Sequence, residues 1–577
     1  MFEAVNAWFQ DAGAGFATVY GIVWRFLAPI LALWILWRCA KPLIRFRREP
    51  EVWGWLVMPD GTQLPVTHWE NIIGRSRGSD IVVNFTTVSR SHAVLTHYDD
   101  GSWSVTDIGS RGNVTVNGKK IRVKALNYGD VISLGGVEMI LAPVTAEELR
   151  EQRHNRTRPA SMVSPGLTLL LLSIFQLLTA LQFWMNRKPE VVAAAVGGFL
   201  ILMAMEWALL LILTLLRRRS FDVETLAFFL TTLGLSVIAS CAPTEMMKQI
   251  SCIAGGLVIY GVIGWSLRSL PRAAKFRYLA AVGGILLLLV NLFMGEEING
   301  AKNWISIGSM SFQPSELVKL CFIYVGASTM DRIVSKRNVI LFIVYTGFIC
   351  LCLAVMNDFG TALIFFVTLL VICLLRGGNF ATLSLVATVV GFAVLLLLFM
   401  DLPPHVLSRF NTWGHAWDDP MNGGYQQVRA MMCIASGGLF GLGGGNGWLK
   451  YVAASDTDLV FALVCEEWGL MIGIAAVLAI VCLGVFVVRS SAVGRSSFYT
   501  IASCAAAAVL LTQTILNVFG TMDLLPLTGV TFPFVSNGGS SMLCVWGLLA
   551  FIRSGDTRQD ASFVVKTVHA KEVTLDE

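Results

Sequence analysis

The sequence has 577 residues, 55% of them hydrophobic and only 14% charged, with a net charge of +5 and a mean hydropathy of +0.67. Soluble domains carry about 25% charged residues, so this composition excludes a wholly soluble protein and indicates a membrane protein. The twelve cysteines occur without any Cys-x-x-Cys spacing, which favours buried free thiols over a disulfide framework or a zinc site.

The first apolar run, residues 21–37, is preceded by Glu3 and Asp11 without a basic residue and followed by a basic cluster. A signal peptide would carry its positive charge before the apolar run. The positive-inside rule therefore places the N-terminus outside the cell and the following residues in the cytoplasm. Residues 1–50 are predicted to form a transmembrane anchor with a basic flank.

Residues 51–145 have a different sequence pattern, in which apolar runs of strand length alternate with polar residues. Turn pairs such as Asn117-Gly118 and Gly135-Gly136 separate these runs, as in an antiparallel sandwich. Within the module, Gly74-Arg75, Ser89-Arg90-Ser91-His92 and Gly109-Ser110 follow one another and resemble a forkhead-associated (FHA) domain, a phosphothreonine reader.

This resemblance implies that His92 props the binding loop and that Gly74 permits a turn. Asn113 follows Gly112, the reverse of the usual family order. Arginine forks and a serine hydroxyl suit phosphate, although either could instead pair with a surface carboxylate or cap a turn. The phosphopeptide-binding residues implied by the motif are Arg75, Ser89, Arg90, Ser110, Arg111 and Asn113.

A charged linker, residues 146–163, precedes an extra transmembrane hairpin, residues 164–216, in which Glu206 lies at membrane depth without an evident partner. About twelve apolar spans are expected after residue 164. Residues 217–553 form the membrane core and residues 554–577 a cytoplasmic tail. The fold class is thus an all-α multi-spanning membrane protein with a soluble all-β sandwich domain. Three longer segments, residues 296–313, 401–457 and 520–537, fall on the outer side, which places the functional surface there.

Several motifs in the membrane core occur in the order of the SEDS proteins, the RodA/FtsW/SpoVE family of cell-wall polymerases, which they resemble. The resemblance implies a membrane glycosyltransferase that polymerises lipid II into peptidoglycan glycan strands at the outer leaflet of the plasma membrane. It also implies a class B penicillin-binding protein as the transpeptidase partner, in cell-shape or cell-division work. The motifs are Gly300-Ala-Lys-Asn-Trp304, Phe312-Gln-Pro-Ser-Glu316, Asp358-Phe-Gly-Thr361, Gly424-Tyr-Gln426, Asp456-Thr-Asp458, Glu466-Glu-Trp-Gly469 and Pro533-Phe-Val-Ser536.

Polymerisation joins a sugar hydroxyl to an anomeric carbon that carries a polyprenyl pyrophosphate, so it needs a base and cationic help for the leaving group. Asp458 stands where a polar segment enters an apolar helix, and the resemblance implies that it is the base. Partial burial there would raise the pKa of its carboxyl group. Glu316 and Lys319 share a helix face, either as catalytic cavity residues, with Lys319 steadying pyrophosphate or tuning Asp458, or as a structural ion pair.

The remaining candidates are substrate-binding residues that face the same outer side. Asp358 either shapes the cavity or caps a helix, and Trp304 either stacks on a sugar ring or anchors the interface. The set is Lys302, Trp304, Asp358, Tyr425, Gln426, Ser536 and Ser540.

Five departures from the family pattern occur: Asn303 replaces a basic residue, Asp456 a histidine, Asn537 a tyrosine, Asn357 the proline before Asp358, and Arg429-Ala430 the Gln-Ser that follows Tyr-Gln. A second carboxylate two residues before Asp458 would raise the Asp458 pKa or recruit a divalent cation such as Mg²⁺ or Mn²⁺. No cofactor is certain and no metal ligand is assigned.

Two other functions stay open, a lipid-precursor flippase or transporter and a non-catalytic cell-wall scaffold. The expected partners are lipid II, the membrane, the transpeptidase and a phosphothreonine protein or Ser/Thr kinase bound by the FHA domain, and no nucleic acid. Thr567 and Thr574 in the tail are candidate phosphorylation sites for that domain.

Overall fold

The computed structural model describes residues 14–45, 50–98, 101–157, 163–186, 189–298, 301–307, 310–330, 336–377, 404–558 and 561–564. Thr567 and Thr574 lie outside these ranges. Within them the chain forms one β-sandwich near the N-terminus and a helical bundle elsewhere. The predicted fold class is therefore confirmed.

Two packed sheets make up the sandwich, and their facing side chains form its core. A six-stranded sheet has the order β2-β1-β11-β10-β7-β8 and a five-stranded sheet the order β4-β3-β5-β6-β9. Alternate residues point inward, so that Leu56, Ile73, Val105 and Leu134 are fully buried. The strands are β1 (Gly54–Val57), β2 (Gln63–Val66), β3 (Glu70–Gly74), β4 (Ile81–Val82), β5 (Ala93–His97), β6 (Trp103–Asp107), β7 (Val114–Val116), β8 (Lys119–Ile121), β9 (Val123–Leu126), β10 (Val131–Leu134) and β11 (Val137–Ala142).

The turn pairs close the hairpins where the sequence predicts them. Asn117 and Gly118, with φ of 51° and 75°, join β7 to β8. Gly135 and Gly136, with φ of 58° and 90°, join β10 to β11. Two consecutive residues at positive φ match the twist of the strands they connect, and glycine and asparagine tolerate this conformation best.

Helices form the rest of the described chain. Eight of them are long and apolar enough to cross a membrane, and three shorter ones are apolar. Since residues 378–403 lie outside the described ranges, the number of spans stays a prediction. All twelve cysteines are free thiols, as predicted. The helices are α1 (Ala14–Ile44), α2 (Ala146–Thr157), α3 (Pro165–Asn186), α4 (Pro189–Leu215), α5 (Asp222–Cys241), α6 (Met246–Leu267), α7 (Leu270–Met294), α8 (Pro314–Met330), α9 (Lys336–Val355), α10 (Phe359–Gly377), α11 (Pro404–Thr412), α12 (Tyr425–Gly437), α13 (Val460–Trp468), α14 (Leu470–Ser491), α15 (Ser497–Thr521) and α16 (Gly539–Ser554).

The extra hairpin, α3 and α4, carries a buried carboxylate that the sequence left without a partner, and the structure corrects this. Glu206 Oε1 accepts a hydrogen bond from Ser173 Oγ at 3.1 Å, and its Oε2 accepts one from Gln176 Nε2 at 2.9 Å. The same Gln176 amide also donates to Thr232 of α5 at 3.0 Å. These polar contacts fix the hairpin against the bundle, because an unsatisfied carboxylate at that depth would be costly.

The sandwich contacts the bundle at the loop between α14 and α15. The backbone N–H of Trp69 donates to the Arg495 carbonyl at 2.7 Å, and His68 Nδ1 donates to the Gly494 carbonyl at 2.5 Å. An ion pair of 2.5 Å joins Arg495 to Glu51. We call this end of the bundle the sandwich face, and the opposite end, where α15 finishes, the site face.

A buried charge network closes the sandwich face beside the end of α16. Arg553 Nε lies 3.1 Å from Glu224, and Arg558 lies 3.1 Å from Asp222. Both arginines also pair with Asp556, at 3.5 and 2.7 Å. These side chains are at most 4% exposed. The network therefore ties the end of the last helix to the start of α5.

Candidate active site

Asp458 lies immediately before α13, and its backbone is held from two sides. Its N–H donates to the Ala454 carbonyl at 3.0 Å within the preceding loop. Its own carbonyl accepts hydrogen bonds from Asn517 Nδ2 at 3.0 Å and Thr521 Oγ1 at 3.4 Å, both on α15. The main chain is thus fixed without use of the carboxylate, which stays available for chemistry.

The Asp458 carboxylate faces Arg409 of α11 across Gly529. A Cβ built on Gly529 would lie 3.4 Å from Asp458 Oδ2 and 3.9 Å from Arg409 Nη1. The Asp458 side chain receives no hydrogen bond from Arg409, although the guanidinium acts on it through its charge. The carboxylate and the guanidinium therefore both border the Cβ position of Gly529.

Four effects set the pKa of Asp458. Burial raises it most, the charge of Arg409 and a hydrogen bond from the Thr457 side chain oppose that rise, and the nearby Asp456 carboxylate adds to it, so that the net pKa is raised. Asp458 is nevertheless half-buried, since part of its surface stays open to solvent. A raised pKa with an open approach suits a general base, because proton transfer is most effective near the working pH.

Two of the departures from the family pattern are partners of each other. Asn537 Nδ2 donates to Asp456 Oδ2 at 2.8 Å, and the Asn537 N–H donates to the Asp456 carbonyl at 2.8 Å. The side-chain nitrogen Asn537 Nδ2 also donates to Glu245 Oε2 at 3.0 Å. The two residues that differ from the family pattern, Asp456 and Asn537, are thus hydrogen-bonded to each other. We call this pair of hydrogen bonds, which holds the loop before Asp458, the clamp.

A similar match involves Asp358 at the start of α10. Its Oδ2 accepts from Asn303 Nδ2 at 3.0 Å and from Gln313 Nε2 at 3.2 Å, while its Oδ1 accepts from the Thr361 N–H at 3.1 Å. Asp358 therefore caps α10 and also holds the segment before α8, while its role in shaping a cavity stays a prediction. Asn303, which replaces a basic residue, supplies one of these contacts.

Glu316 and Lys319 form a buried ion pair on α8. Lys319 Nζ donates to Glu316 Oε1 at 2.6 Å, and the two side chains are 1% and 6% exposed. Glu316 Oε2 has no hydrogen-bond partner among the described residues. No described hydrogen bond or ion pair joins Lys319 to the Asp458 carboxylate.

Two of the predicted substrate residues belong to α12. Gln426 Nε2 donates to the Ala453 carbonyl at 3.0 Å and so supports the loop that leads to Asp458. Tyr425 is exposed, with the Arg429 guanidinium 5.4 Å from the centre of its ring. Gln426 therefore already has a structural role, whereas the Tyr425 ring is available to a ligand.

The serine candidates are engaged in loop contacts. Ser536 Oγ donates to the Thr457 carbonyl at 2.6 Å, next to Asp458, and accepts from the Phe532 N–H at 2.9 Å. Ser540 Oγ accepts from the Gln313 N–H at 3.2 Å. These two residues connect the segment before α16 to the loops around the site.

Lys302 and Trp304 lie on the small antiparallel sheet formed by β12 (Glu296–Ile298), β13 (Ala301–Ile307) and β14 (Met310–Phe312). The Lys302 N–H donates to the Met356 carbonyl at 2.9 Å, and its side chain is exposed. Trp304 is half-buried opposite Glu296 in the sheet. The sheet thus presents Lys302 to solvent on the site face.

The glycine-rich segment after α12 is organised by two buried carboxylates. Glu466 accepts from the N–H groups of Trp448 and Leu449, each at 2.9 Å, and Glu467 accepts from the Gly447 N–H at 3.3 Å. A Cβ on Gly441 would collide with the backbone of Glu467. These glycines therefore allow close packing of the loop against α13.

Three residues at the site are absent from the sequence-based candidates: Arg409, Asn517 and Thr521. Arg409 is a basic residue on a short helix within the long segment 401–457. A charged residue in such a segment of a membrane protein is a candidate functional residue that the sequence alone could have indicated. Asn517 and Thr521 lie one turn apart at the end of an apolar helix, where polar side chains suggest a tertiary contact. Only the folded chain shows that this contact is to Asp458.

No metal centre is evident in the part of the chain that the structure describes. It brings no three His, Cys, Asp or Glu side chains together as a metal site would require. Asp456, the carboxylate beside Asp458, is already hydrogen-bonded to Asn537. The divalent cation considered from the sequence stays a prediction.

The phosphate-binding candidates of the sandwich converge on Ser89. The Arg111 N–H donates to Ser89 Oγ at 3.2 Å, and the Arg75 N–H donates to the Ser89 carbonyl at 3.0 Å. Arg90 adjoins it in sequence, and the side chains of all three arginines are exposed. A hydroxyl-bearing loop flanked by three arginines with exposed side chains is a suitable anion site.

His92 bridges the two loops of this site, the structural role that the sequence predicts for it. Its Nδ1 accepts from the Ser89 N–H at 3.1 Å, so the proton is assigned to Nε2, which donates to the Asn113 carbonyl at 3.2 Å. Asn113 itself adopts φ of 52°. The Ser110 N–H is held by Asp107 at 3.0 Å, and the Ser110 hydroxyl is left without a partner in the described structure.

Gly74 serves close approach and not a turn, which corrects one expectation. It ends β3 and is not among the described residues with positive φ. A Cβ there would collide with the carbonyl of Arg90. The absence of a side chain brings the Arg75 and Ser89 loops together.

Comparison with known proteins assigns both parts. Residues 223–559 match the FTSW_RODA_SPOVE family model, described as cell cycle protein, and residues 71–135 match the FHA domain model. The chain is 33% identical over 298 residues to a probable peptidoglycan glycosyltransferase FtsW from Pseudoalteromonas translucida, an alignment that spans 48% of this chain and 73% of that relative. It is 29% identical over 326 residues to the corresponding protein of Bacillus subtilis, spanning 53% and 79%.

Solved structures are also similar to parts of the chain. One chain from work described as structural coordination of polymerization and crosslinking by a peptidoglycan synthase complex is 25% identical, with a TM-score of 0.49, and the match covers 59% of this chain and 98% of that one.

Proposed function

Because the chain belongs to the FTSW_RODA_SPOVE family of cell cycle proteins, we propose that it is a membrane glycosyltransferase that polymerises lipid II into peptidoglycan glycan strands. The reaction takes place at the outer leaflet of the plasma membrane. The observation that carries the proposal is Asp458, a half-buried carboxylate with a raised pKa and a fixed backbone. Its position at the site face leaves it accessible to a lipid-borne sugar.

The chemistry assigned to the site is one glycosyl transfer. A sugar hydroxyl of the acceptor loses its proton to the Asp458 carboxylate while its oxygen bonds to the anomeric carbon of the donor. The bond from that carbon to the polyprenyl pyrophosphate breaks, and the leaving group takes the electron pair. Substrate contacts are assigned to Lys302, Trp304 and Tyr425, whose side chains are at least partly open to solvent. Asp358, Gln426, Ser536 and Ser540 hold the loops around the site, and Glu316 and Lys319 keep the cavity polar.

The proposed orientation follows from the two faces of the bundle. The site face is extracellular, where lipid II is used, and the sandwich face is cytoplasmic. The basic flank after α1 supports this orientation, because positive charge is retained on the cytoplasmic side. The FHA domain and the C-terminus are then inside and the N-terminus outside.

The FHA domain supplies phosphothreonine-dependent regulation or recruitment. The three arginines around Ser89 fit a doubly charged phosphate, and they lie at the end of β3 opposite the Trp69 contact with the bundle. The phosphate site therefore faces away from the membrane core. Its ligand is a phosphothreonine protein, such as a substrate of a Ser/Thr kinase, and the transpeptidase partner is a class B penicillin-binding protein.

One assay tests the enzymatic part. The purified full-length chain with its cognate transpeptidase is given labelled lipid II, and the products of wild type and Asp458→Ala are compared on a gel. Glycan polymer from wild type and none from the variant supports the proposal. Transfer of lipid II across vesicles without polymer would instead favour a flippase, and neither activity would favour a scaffold.

A second assay tests the FHA part on the full-length protein. A phosphothreonine peptide library is screened against wild type in detergent, and the best peptide is titrated against Arg75→Ala and against Lys119→Ala, an exposed β8 residue away from the three arginines. We expect at least tenfold weaker binding for Arg75→Ala only. Equal binding of a peptide and its unphosphorylated form would contradict phosphate recognition.

A further inference from the structure

We propose that Arg409 is the residue that receives the pyrophosphate of the donor, and that it forms with Asp458 the two sides of the reaction space. This inference rests on the glycosyltransferase function proposed above and assigns the leaving group within the same site. The carboxylate and the guanidinium both border the Cβ position of Gly529, 3.4 and 3.9 Å from it. Acceptor activation and departure of the donor pyrophosphate therefore occur at neighbouring groups.

The competing cation for this role is Lys319. Its ammonium group is 1% exposed and already lies 2.6 Å from Glu316 in a buried pair. A lysine whose charge is neutralised by an adjacent carboxylate has little attraction left for a pyrophosphate, and desolvating the pair further would be costly. Lys319 is therefore assigned to the integrity of the cavity.

Arg409 has the opposite environment. It is half-buried on a helix at the site face, and its charge is felt by Asp458 without a hydrogen bond between them. Its planar fork can make two parallel hydrogen bonds to phosphate oxygens. Negative charge that develops on the pyrophosphate during bond cleavage would then be stabilised where it forms.

Glycine at position 529 keeps this space open. Its φ of 70° is one that side-chain-bearing residues rarely adopt, and a methyl group there would lie within 4 Å of both charged groups. Glycine therefore suits this backbone conformation and leaves the space beside Asp458 and Arg409 unfilled.

The test compares kcat and KM for lipid II polymerisation in Arg409→Gln, Arg409→Lys and Lys248→Gln. Lys248 is the matched control, since it carries the same charge near the site face and lies 3.9 Å from Glu245. Loss of one transition-state donor typically lowers kcat by about 100-fold, which is expected for Arg409→Gln. Arg409→Lys should recover part of the loss, and Lys248→Gln should stay within about twofold of wild type.

Two further measurements separate leaving-group contact from a structural effect. Inhibition by added undecaprenyl pyrophosphate should weaken at least tenfold in Arg409→Gln, whereas thermal unfolding of the variant should match wild type. The acid limb of kcat/KM should also move to higher pH, because removing a cation near Asp458 favours its protonated form.

The outcomes are distinguishable from failure of the proposed function. If Asp458→Asn is inactive while Arg409→Gln keeps normal kcat, pyrophosphate inhibition and pH profile, the assignment of Arg409 is wrong and the glycosyltransferase stands. If Asp458→Asn is fully active, the proposed site itself is wrong. A misfolded Arg409→Gln is replaced in the comparison by Arg409→Lys, whose unchanged pyrophosphate inhibition and kcat would equally overturn the assignment.

Discussion

Charged side chains are paired with one another at the sandwich face of the helical bundle, whereas two charged groups at the site face are not bonded to each other. At the sandwich face, Arg553 and Arg558 are fully buried and pair with carboxylates at 2.7 to 3.5 Å. At the site face, Asp458 and Arg409 both border Gly529 without a hydrogen bond between them, and Asp458 is only half-buried. Charges paired with each other hold the fold together, whereas charges that are not bonded to each other remain able to act on a substrate.

The strongest test of this comparison is Asp458→Asn. Loss of a general base lowers kcat by about 100- to 10,000-fold, while the melting temperature should change little because the Asp458 backbone contacts with α15 remain. Polymer formation and thermal unfolding of the same preparation check both expectations. A variant that unfolds together with its loss of activity would make Asp458 a structural residue.

The reverse result is expected at the sandwich face. Arg553→Met leaves Glu224 buried without its cation, whereas Asp556 keeps Arg558, and such a loss costs about 3–5 kcal/mol. Unfolding in detergent should therefore occur at lower temperature, while the fraction that stays folded should polymerise lipid II at the normal rate. Arg272→Met is the control, since Arg272 is a half-buried residue that packs on Trp265 and forms no ion pair among the described residues.

Acid should affect the two ends differently. The pKa of Asp458 is raised, so its base form is lost as pH falls through that raised value, and polymerisation should decline on the acid side before the fold does. Initial rates and unfolding temperatures measured across the same buffers test this order. Simultaneous loss of both would mean that the activity loss reports unfolding.

A smaller effect on activity is expected at Asp456 and Asn537, the two hydrogen-bonded residues that differ from the family pattern. Asp456→His alone removes the acceptor of Asn537 Nδ2 and should lower activity about tenfold, because the loop before Asp458 loses its clamp. The double variant Asp456→His with Asn537→Tyr restores the family pattern at both positions and should be more active than either single variant. Additive losses would show that the two substitutions are independent.

The smallest effect is expected in the extra hairpin. Glu206→Gln preserves a side chain that can accept from Ser173, so its stability should change by less than about 1 kcal/mol. Glu206→Leu leaves the Gln176 amide with fewer partners and should cost more. Urea unfolding of the two variants distinguishes a hydrogen-bonding role from a requirement for charge.

Local patterns in the sequence predict most of the fold. Asn117-Gly118 and Gly135-Gly136 specify hairpins because few residues tolerate their backbone angles, and long apolar runs specify helices. Motif order also leads to Asp458 and to the loop around Ser89. These signals are contained within short segments of chain.

Partners that are distant in sequence could not be predicted in this way. Arg409 and Asp458, or Asp458 and Asn517, are brought together by tertiary packing alone. Glu206 was left without a partner for the same reason, since Ser173 and Gln176 approach it from another helix, α3. The matching of Asp456 with Asn537 likewise becomes visible only when both loops are placed.

Helix α15 has a mechanical consequence. It begins beside Arg495 at the FHA contact, and its last two turns hold the Asp458 carbonyl. Its 25 residues span about 37 Å. A tilt of about 5° at the FHA end would shift the far end by about 3 Å, which is more than a hydrogen bond tolerates. A movement of the FHA domain caused by a bound partner would therefore be transmitted through α15 to Asp458, the residue proposed to remove the proton.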